Sequence, residues 1–156
     1  MRLRELQPPA YRMRSISDDG ITGRQIVNGT TAATLIAALP VQDGVRLDES
    51  AVERFGILML DTKHRVSAFS ILSVGCLDAT VIHPREVFRA ALQGQAAAIV
   101  LFHCHPSGDP APSADDARVT ARLKAAGAVV GIDVLDHIIV GHDGRYHSFQ
   151  EAGGAS

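Results

Sequence analysis

The chain has 156 residues, 46% of them hydrophobic, which suits one domain with a substantial core. Its 15 basic and 17 acidic residues give a net charge of −2, so it lacks the basic excess typical of nonspecific nucleic-acid binders. Two cysteines are too few for a disulfide framework, and no apolar run suits a membrane span or a signal peptide. We therefore expect a cytoplasmic protein without membrane partners.

The first fifty residues predict an extension in front of the main domain. Residues 1–20 combine Arg, Pro, Ser and Asp without periodicity and predict an extended arm. Residues 30–39 predict a short helix that Pro40 helps to end, and the polar residues 41–50 predict a linker. We therefore place the domain boundary at residue 50, with the main domain over residues 51–156.

The main domain alternates between predicted strands and helices. Runs of apolar residues bounded by turns predict strands, and Pro84 suits the first turn of a helix. The predicted strands span residues 54–60, 65–72, 80–83, 96–103, 132–140 and 145–149. The predicted helices span residues 84–93 and 113–127. Because helices alternate with strands and some strands form hairpins, we expect an α/β fold with a mixed β-sheet flanked by helices.

The candidate site follows the predicted strand 96–103. His103 and His105 are two residues apart, so their imidazoles point to one face of the strand and Cys104 points to the other. A turn stiffened by three prolines then leads to Ser113 and a helix whose first turn contains Asp116. Two imidazoles, one carboxylate and a water are the usual ligand set of a catalytic zinc ion.

Several residues in this region also have structural explanations. Ser113 and Asp116 have nearly the spacing of a helix capping box, and acidic residues favour the first turn of any helix. Asp115 could replace Asp116 as a ligand, although one residue rotates it by about 100° around the helix. We expect Asp109 to face solvent, and His137 to be a core histidine rather than a residue that supports a metal ligand.

The combined spacing resembles a known metalloprotease motif. His-x-His-Pro, six residues and then Ser-x-x-Asp, over residues 103–116, is similar to the JAMM (MPN-type) motif. The longer form HxHPSGDPxPSxxD resembles the bacterial RadC family, as do HPRE at 83–86 and LDHIIVG at 135–141. This resemblance covers about residues 50–152, and it implies a JAMM/MPN domain with a cytidine-deaminase-like α/β/α sandwich.

The resemblance also implies the roles of the site residues. It implies zinc as the cofactor, with His103, His105 and Asp116 as the metal ligands. It further implies an upstream acid, for which Glu53 fits, as the general base for a water that zinc activates. Ser113 would hold or polarise the substrate oxyanion. The implied reaction is hydrolysis of a peptide or isopeptide bond in a peptide or protein substrate.

Two other functions stay open from the sequence. One is a non-catalytic interaction module, and the other is an accessory protein in DNA repair or mobile-element biology. The complete set of five site residues argues against the module, and the charge balance argues against strong nucleic-acid binding. Residues 1–50 are too few for the helix-hairpin-helix region associated with full-length RadC-like chains, and Cys104 replaces their common Asn but faces away from the metal. The oligomeric state stays open as well.

Overall fold

The structure, a computed structural model, describes residues 20–42, 44–75 and 82–153. The strands are β1 (Pro40–Gln42), β2 (Val45–Arg46), β3 (Arg54–Leu60), β4 (Val66–Val74), β5 (Ala98–Cys104), β6 (Asp133–Val140) and β7 (Tyr146–Ser148). The helices are α1 (Gly29–Ala37), α2 (Pro84–Gln93), α3 (Ala114–Val130) and α4 (Phe149–Gly153), with a 3-10 turn at Leu47–Glu49.

A five-stranded sheet in the order β4-β3-β5-β6-β7 forms the centre of the molecule. Strand β3 is antiparallel to both β4 and β5, β5 and β6 are parallel, and β7 returns antiparallel to β6. A parallel pair needs a crossover connection, and α3 supplies it between β5 and β6. The predicted α/β fold with a mixed sheet is confirmed.

Helix α1 covers one face of the sheet. Its buried side chains Leu35 and Ile36 belong to the same core cluster as Leu58 of β3 and Val100 and Phe102 of β5. The helix begins at the N-cap Asn28, whose side chain accepts a hydrogen bond from the amide of Thr31 at 2.8 Å. The domain boundary at residue 50 stays a prediction, and the helix that precedes it packs on the central strands.

Helices α2 and α3 cover the opposite face. They bury Phe88 and Leu123 against Ile57 of β3 and Leu101 of β5, which alternate with the residues that face α1. Every residue of β5 is buried, as expected for a central strand with helices on both faces. The layers are therefore helix, sheet and helix, and β5 is the central strand of the sheet.

Several element boundaries differ from the sequence prediction. Helix α3 continues three residues beyond Gly127 and ends at Gly131, whose φ of 85° is typical of a helix C-cap. Gly127 lies inside the helix. A glycine is needed at this position because a side chain would meet the carbonyl of Ile132 and the ring of Phe88. The predicted linker contains β1, β2 and the 3-10 turn, held by a hydrogen bond from the Leu47 amide to the Leu39 carbonyl at 2.9 Å.

Two predicted segments lie mostly outside the described residues. They are the arm at 1–20, of which only Gly20 is described, and the strand at 80–83, of which only Ile82 and His83 are described, neither of them in a strand. Within the described parts of the chain, none of the helices combines the length and apolar character needed to cross a bilayer.

The fold makes a specific demand at Gly56, where β3 passes close to both neighbouring strands. A Cβ atom there would meet the backbone carbonyl of Ser70 and would lie 2.7 Å from Cζ of Phe102. We predict that Gly56→Ala lowers the free energy of unfolding by about 1–3 kcal/mol, because this packing cannot relax without moving backbone. Urea unfolding measures the effect. Gly153→Ala is the control, since Gly153 has open space around its Cα, and an equal loss in both variants would contradict the prediction.

Candidate metal centre

The register of β3 against β5 brings distant parts of the sequence together. Arg54 pairs with Cys104 and Phe55 pairs with His103. Because the strands are antiparallel, Glu53, one residue before β3, lies beside His105, one residue after β5. Strand alternation places Glu53 and both histidines on the α3 side of the sheet. The predicted pairing of an upstream acid with the two histidines therefore follows from the strand register.

The predicted ligand atoms converge on one point. Nε2 of His103 lies 2.9 Å from Nε2 of His105. The carboxylate of Asp116 reaches both rings, with Oδ1 at 3.3 Å from Nε2 of His103 and Oδ2 at 3.5 Å from Nε2 of His105. Oε1 of Glu53 is 4.0 Å from Nε2 of His105, and one ligand atom each from Glu53, His103 and His105 lie within 4.8 Å of one another.

These spacings fit a tetrahedral metal ion. Ligand atoms about 2.0–2.1 Å from a tetrahedral zinc ion lie about 3.3–3.4 Å from each other. The three contacts among His103, His105 and Asp116 span 2.9–3.5 Å, whereas Glu53 lies farther out. The arrangement can therefore hold a cation between two imidazoles and one carboxylate, with a second carboxylate beside it.

The hydrogen bonds of His105 also favour a cation. Its Nδ1 lies 2.8 Å from the carbonyl oxygen of Asp109, which can only accept, so Nδ1 carries the ring proton. The neutral ring then presents an unprotonated Nε2 to the cluster. Lone pairs of nitrogen and oxygen facing each other at these distances repel unless a metal ion or a shared proton lies between them. The donor set thus fits a metal.

The electrostatics of the cluster follow from the same contacts. The Asp116 carboxylate raises the pKa of His105, because it would accept a hydrogen bond from a protonated Nε2, and burial lowers that pKa by less. Burial on its own would raise the pKa of Asp116, but contacts with His103, His105 and the Ser113 amide together hold that pKa well below its usual value. Asp116 is therefore ionised at neutral pH, as a metal ligand must be.

The first turn of α3 orients the Asp116 carboxylate. Its Oδ2 accepts a hydrogen bond from the Ser113 amide at 2.7 Å, and the Ser113 hydroxyl accepts one from the Asp116 amide at 3.1 Å. This is a complete capping box, so the structural explanation of the Ser-x-x-Asp pattern is correct. The same carboxylate faces both histidines, so capping and ligation are compatible. Ser113 is exposed, and the two hydrogen bonds with Asp116 hold it beside the cluster.

The position of His137 differs in part from the prediction of a core histidine without a role at the site. It is a fully buried residue of β6, as expected, but its Nε2 lies 2.8 Å from Nδ1 of His103, so it contacts a candidate ligand directly. Its other ring nitrogen, Nδ1, lies 2.5 Å from the hydroxyl of Thr120 on α3. Burial, and next repulsion from His103, lowers the pKa of His137 well below its usual value, which keeps the ring neutral.

Thr120 was missed in the sequence analysis, although a signal for it exists. It follows Asp116 by four residues on α3, so the two residues share one helix face. Its hydroxyl donates to the Asp116 carbonyl at 2.7 Å. For His137 the sequence carries no local signal, because its contact with His103 depends on the pairing of β6 with β5, in which His137 lies opposite Leu101.

The remaining candidates lie apart from the cluster. The Asp115 carboxylate pairs with Arg118 on the exposed side of α3, so it does not replace Asp116. The Asp109 carboxylate accepts from the Ala111 amide in the turn, and only the Asp109 backbone supports His105. Cys104 is buried on the α1 side, with its thiol directed to the Val52 carbonyl at 3.5 Å. The predicted alternation along β5 is therefore correct.

The turn between the histidines and α3 is held by the β6–β7 hairpin. The carbonyl of Gly108 accepts hydrogen bonds from the His142 amide at 3.0 Å and from Nη2 of Arg145 at 2.8 Å. The His105 amide donates to the carbonyl of Val140, the last residue of β6, at 3.2 Å. The segment that carries His105 is therefore anchored to the hairpin at His105 and again at Gly108.

Comparison with known proteins gives one consistent family. Residues 30–154 match the family model described as the RadC-like JAB domain. A UPF0758 protein of Desulfitobacterium hafniense is 43% identical over 140 residues, which cover 90% of this chain and 58% of that protein.

Two further UPF0758 proteins are similar over about two thirds of the chain. The one from Methanosarcina acetivorans is 47% identical over 108 residues, covering 69% of this chain and 47% of that protein. The one from Alkaliphilus oremlandii is 54% identical over 99 residues, covering 64% of this chain and 42% of that protein. The chain spans about half the length of these curated relatives. It belongs to the RadC family and carries the JAB/MPN-like domain of that family.

Proposed function

We propose that the chain is a zinc-dependent metallohydrolase that cleaves a peptide or isopeptide bond in a peptide or protein substrate. One observation carries the proposal: two imidazole nitrogens and the Asp116 carboxylate converge within 2.9–3.5 Å of one another, with the Glu53 carboxylate just beyond them. His103, His105 and Asp116 would hold the ion. When bound, zinc would polarise the scissile carbonyl and lower the pKa of a water molecule to about 7.

The burial of the cluster gives it a closed side and an open side. The side chains of His103 and Asp116 are 0% and 3% exposed, whereas those of His105 and Glu53 are 17% and 24% exposed. Water and substrate would therefore approach over His105 and Glu53. A catalytic zinc site needs such an open position, whereas a structural zinc site is closed on all sides.

Glu53 would move the proton in the proposed reaction. Its carboxylate would accept a proton as the water oxygen forms a bond to the carbonyl carbon, and would pass it to the amine nitrogen as the C–N bond breaks. The Ser113 hydroxyl accepts from the Asp116 amide and keeps its own hydrogen, with which it could stabilise the substrate oxyanion. The reaction balances with water as the only co-substrate.

Replacing the proposed base tests the hydrolase. We predict that Glu53→Gln keeps zinc bound but lowers kcat by about 100- to 10,000-fold, because the amide cannot accept the proton. Turnover of peptide and isopeptide libraries by the zinc-loaded chain measures the effect. Glu49→Gln, the same change at an exposed residue of the 3-10 turn, is the control. Zinc binding without any turnover that depends on Glu53 would reject the hydrolase and favour a binding module.

The proposed ligand set makes a separate prediction about metal content. Asp116→Asn keeps an oxygen that can accept from the Ser113 amide, but it removes the ionised ligand. We predict that it weakens zinc binding by more than about 100-fold, because loss of a direct ligand exceeds the effect of its supporting residues. Elemental analysis and titration calorimetry measure the loss. The adjacent variant Asp115→Asn should bind zinc like the original chain, and equal affinity in all three proteins would contradict the assignment.

A further inference from the structure

We propose that Thr120 and His137 are positioning residues that fix the tautomer of His103, so that its Nε2 is unprotonated before a metal arrives. Four groups form a continuous chain from one candidate ligand to another. They are the Asp116 carbonyl, the Thr120 hydroxyl, the His137 ring and the His103 ring, with successive distances of 2.7, 2.5 and 2.8 Å. The inference rests on the metal site of the proposed function, but not on the bond that the enzyme cleaves.

The donor-to-acceptor direction of these hydrogen bonds is set by the first of them. The Asp116 carbonyl oxygen can only accept, and two oxygens 2.7 Å apart repel unless a hydrogen lies between them. The single hydroxyl hydrogen of Thr120 is therefore committed to that carbonyl. Toward His137, the Thr120 oxygen can then act only as an acceptor.

The remaining steps follow from the chemistry of neutral imidazole, which has one donor and one acceptor nitrogen. Nδ1 of His137 must donate to Thr120, so Nε2 of His137 accepts from Nδ1 of His103. With its proton on Nδ1, His103 presents an unprotonated Nε2 to His105 and Asp116. Metal coordination requires this tautomer, because the ligand nitrogen must offer its lone pair.

The series of hydrogen bonds also links two candidate ligands that come from different secondary-structure elements. His103 lies on β5 and Asp116 on α3, and the route between them passes through His137 on β6. All four groups in the route belong to buried residues, so water does not compete for these hydrogen bonds. His105 is independent of the route, because its Nδ1 donates to the Asp109 carbonyl.

The metal-free original chain gives the first test. Long-range ¹H–¹⁵N spectra, recorded at a pH where the histidines are neutral, distinguish the two imidazole tautomers. We expect the Nδ1–H tautomer for His103, His105 and His137. Finding the Nε2–H tautomer at His103 would overturn the inference, and this test needs no variant.

A pair of variants gives the second test. Thr120→Val removes the hydroxyl at nearly constant volume, so Nδ1 of His137 loses its acceptor. We expect His137 to change to the Nε2–H tautomer and donate to His103, which moves the proton of His103 onto Nε2. Zinc affinity should then fall by about 10- to 100-fold. Thr120→Ser, which keeps the hydroxyl, should restore both the tautomer and the affinity.

His105 is the internal control in the same spectra, and its tautomer should not change in Thr120→Val. A Thr120→Val protein with the original tautomer and the original zinc affinity would overturn this inference but leave the proposed function standing. Loss of affinity with an unchanged His103 tautomer would also overturn it, because the role of Thr120 would then be structural. Absence of zinc binding in the original chain would instead reject the metal site on which the proposed function depends.

Discussion

The antiparallel register of β3 against β5 is the constraint on which the candidate site depends. Pairing of Phe55 with His103 places Glu53 next to His105, although the two residues are 52 positions apart in the sequence. A slip of one residue would turn Glu53 to the opposite face of the sheet, toward α1. The apolar side chains of β3 prevent such a slip, because alternate residues are buried in two separate cores. Core packing therefore fixes the distance between the proposed base and the histidines.

The cluster places polar groups where the fold otherwise buries apolar ones. His103, Asp116, Thr120 and His137 all lie within the layer between the sheet and α3. Each buried polar group costs free energy unless it has a hydrogen-bond partner. The capping box gives Oδ2 of Asp116 a donor, and Thr120 and His103 satisfy the two nitrogens of His137. The network therefore offsets part of the cost of burying these groups, besides arranging the candidate ligands.

Sequence reasoning predicted local features well and long-range contacts poorly. The apolar runs gave β3 and β5, and Pro84 marked the start of α2, because these signals are local. The JAMM-like spacing selected the residues that the fold brings together, and their roles stay predictions. Gly127 was read as a helix end because periodicity does not reveal a close contact with a neighbouring strand. Thr120 was missed, and His137 was expected to be only a core residue, for the same reason, since their contacts with the cluster form only when β6 packs beside β5 under α3.

The geometry also connects metal binding to stability. The nitrogens of His103 and His105 and the Asp116 carboxylate face each other across 2.9–3.5 Å, and their lone pairs repel unless a proton or a cation lies between them. The cores on both faces of the sheet and the anchored turn at Gly108 keep these groups together despite that cost. A bound metal would remove the repulsion and link β5 to α3 directly. Because an unfolded chain lacks this arrangement, part of the metal-binding free energy would stabilise the fold.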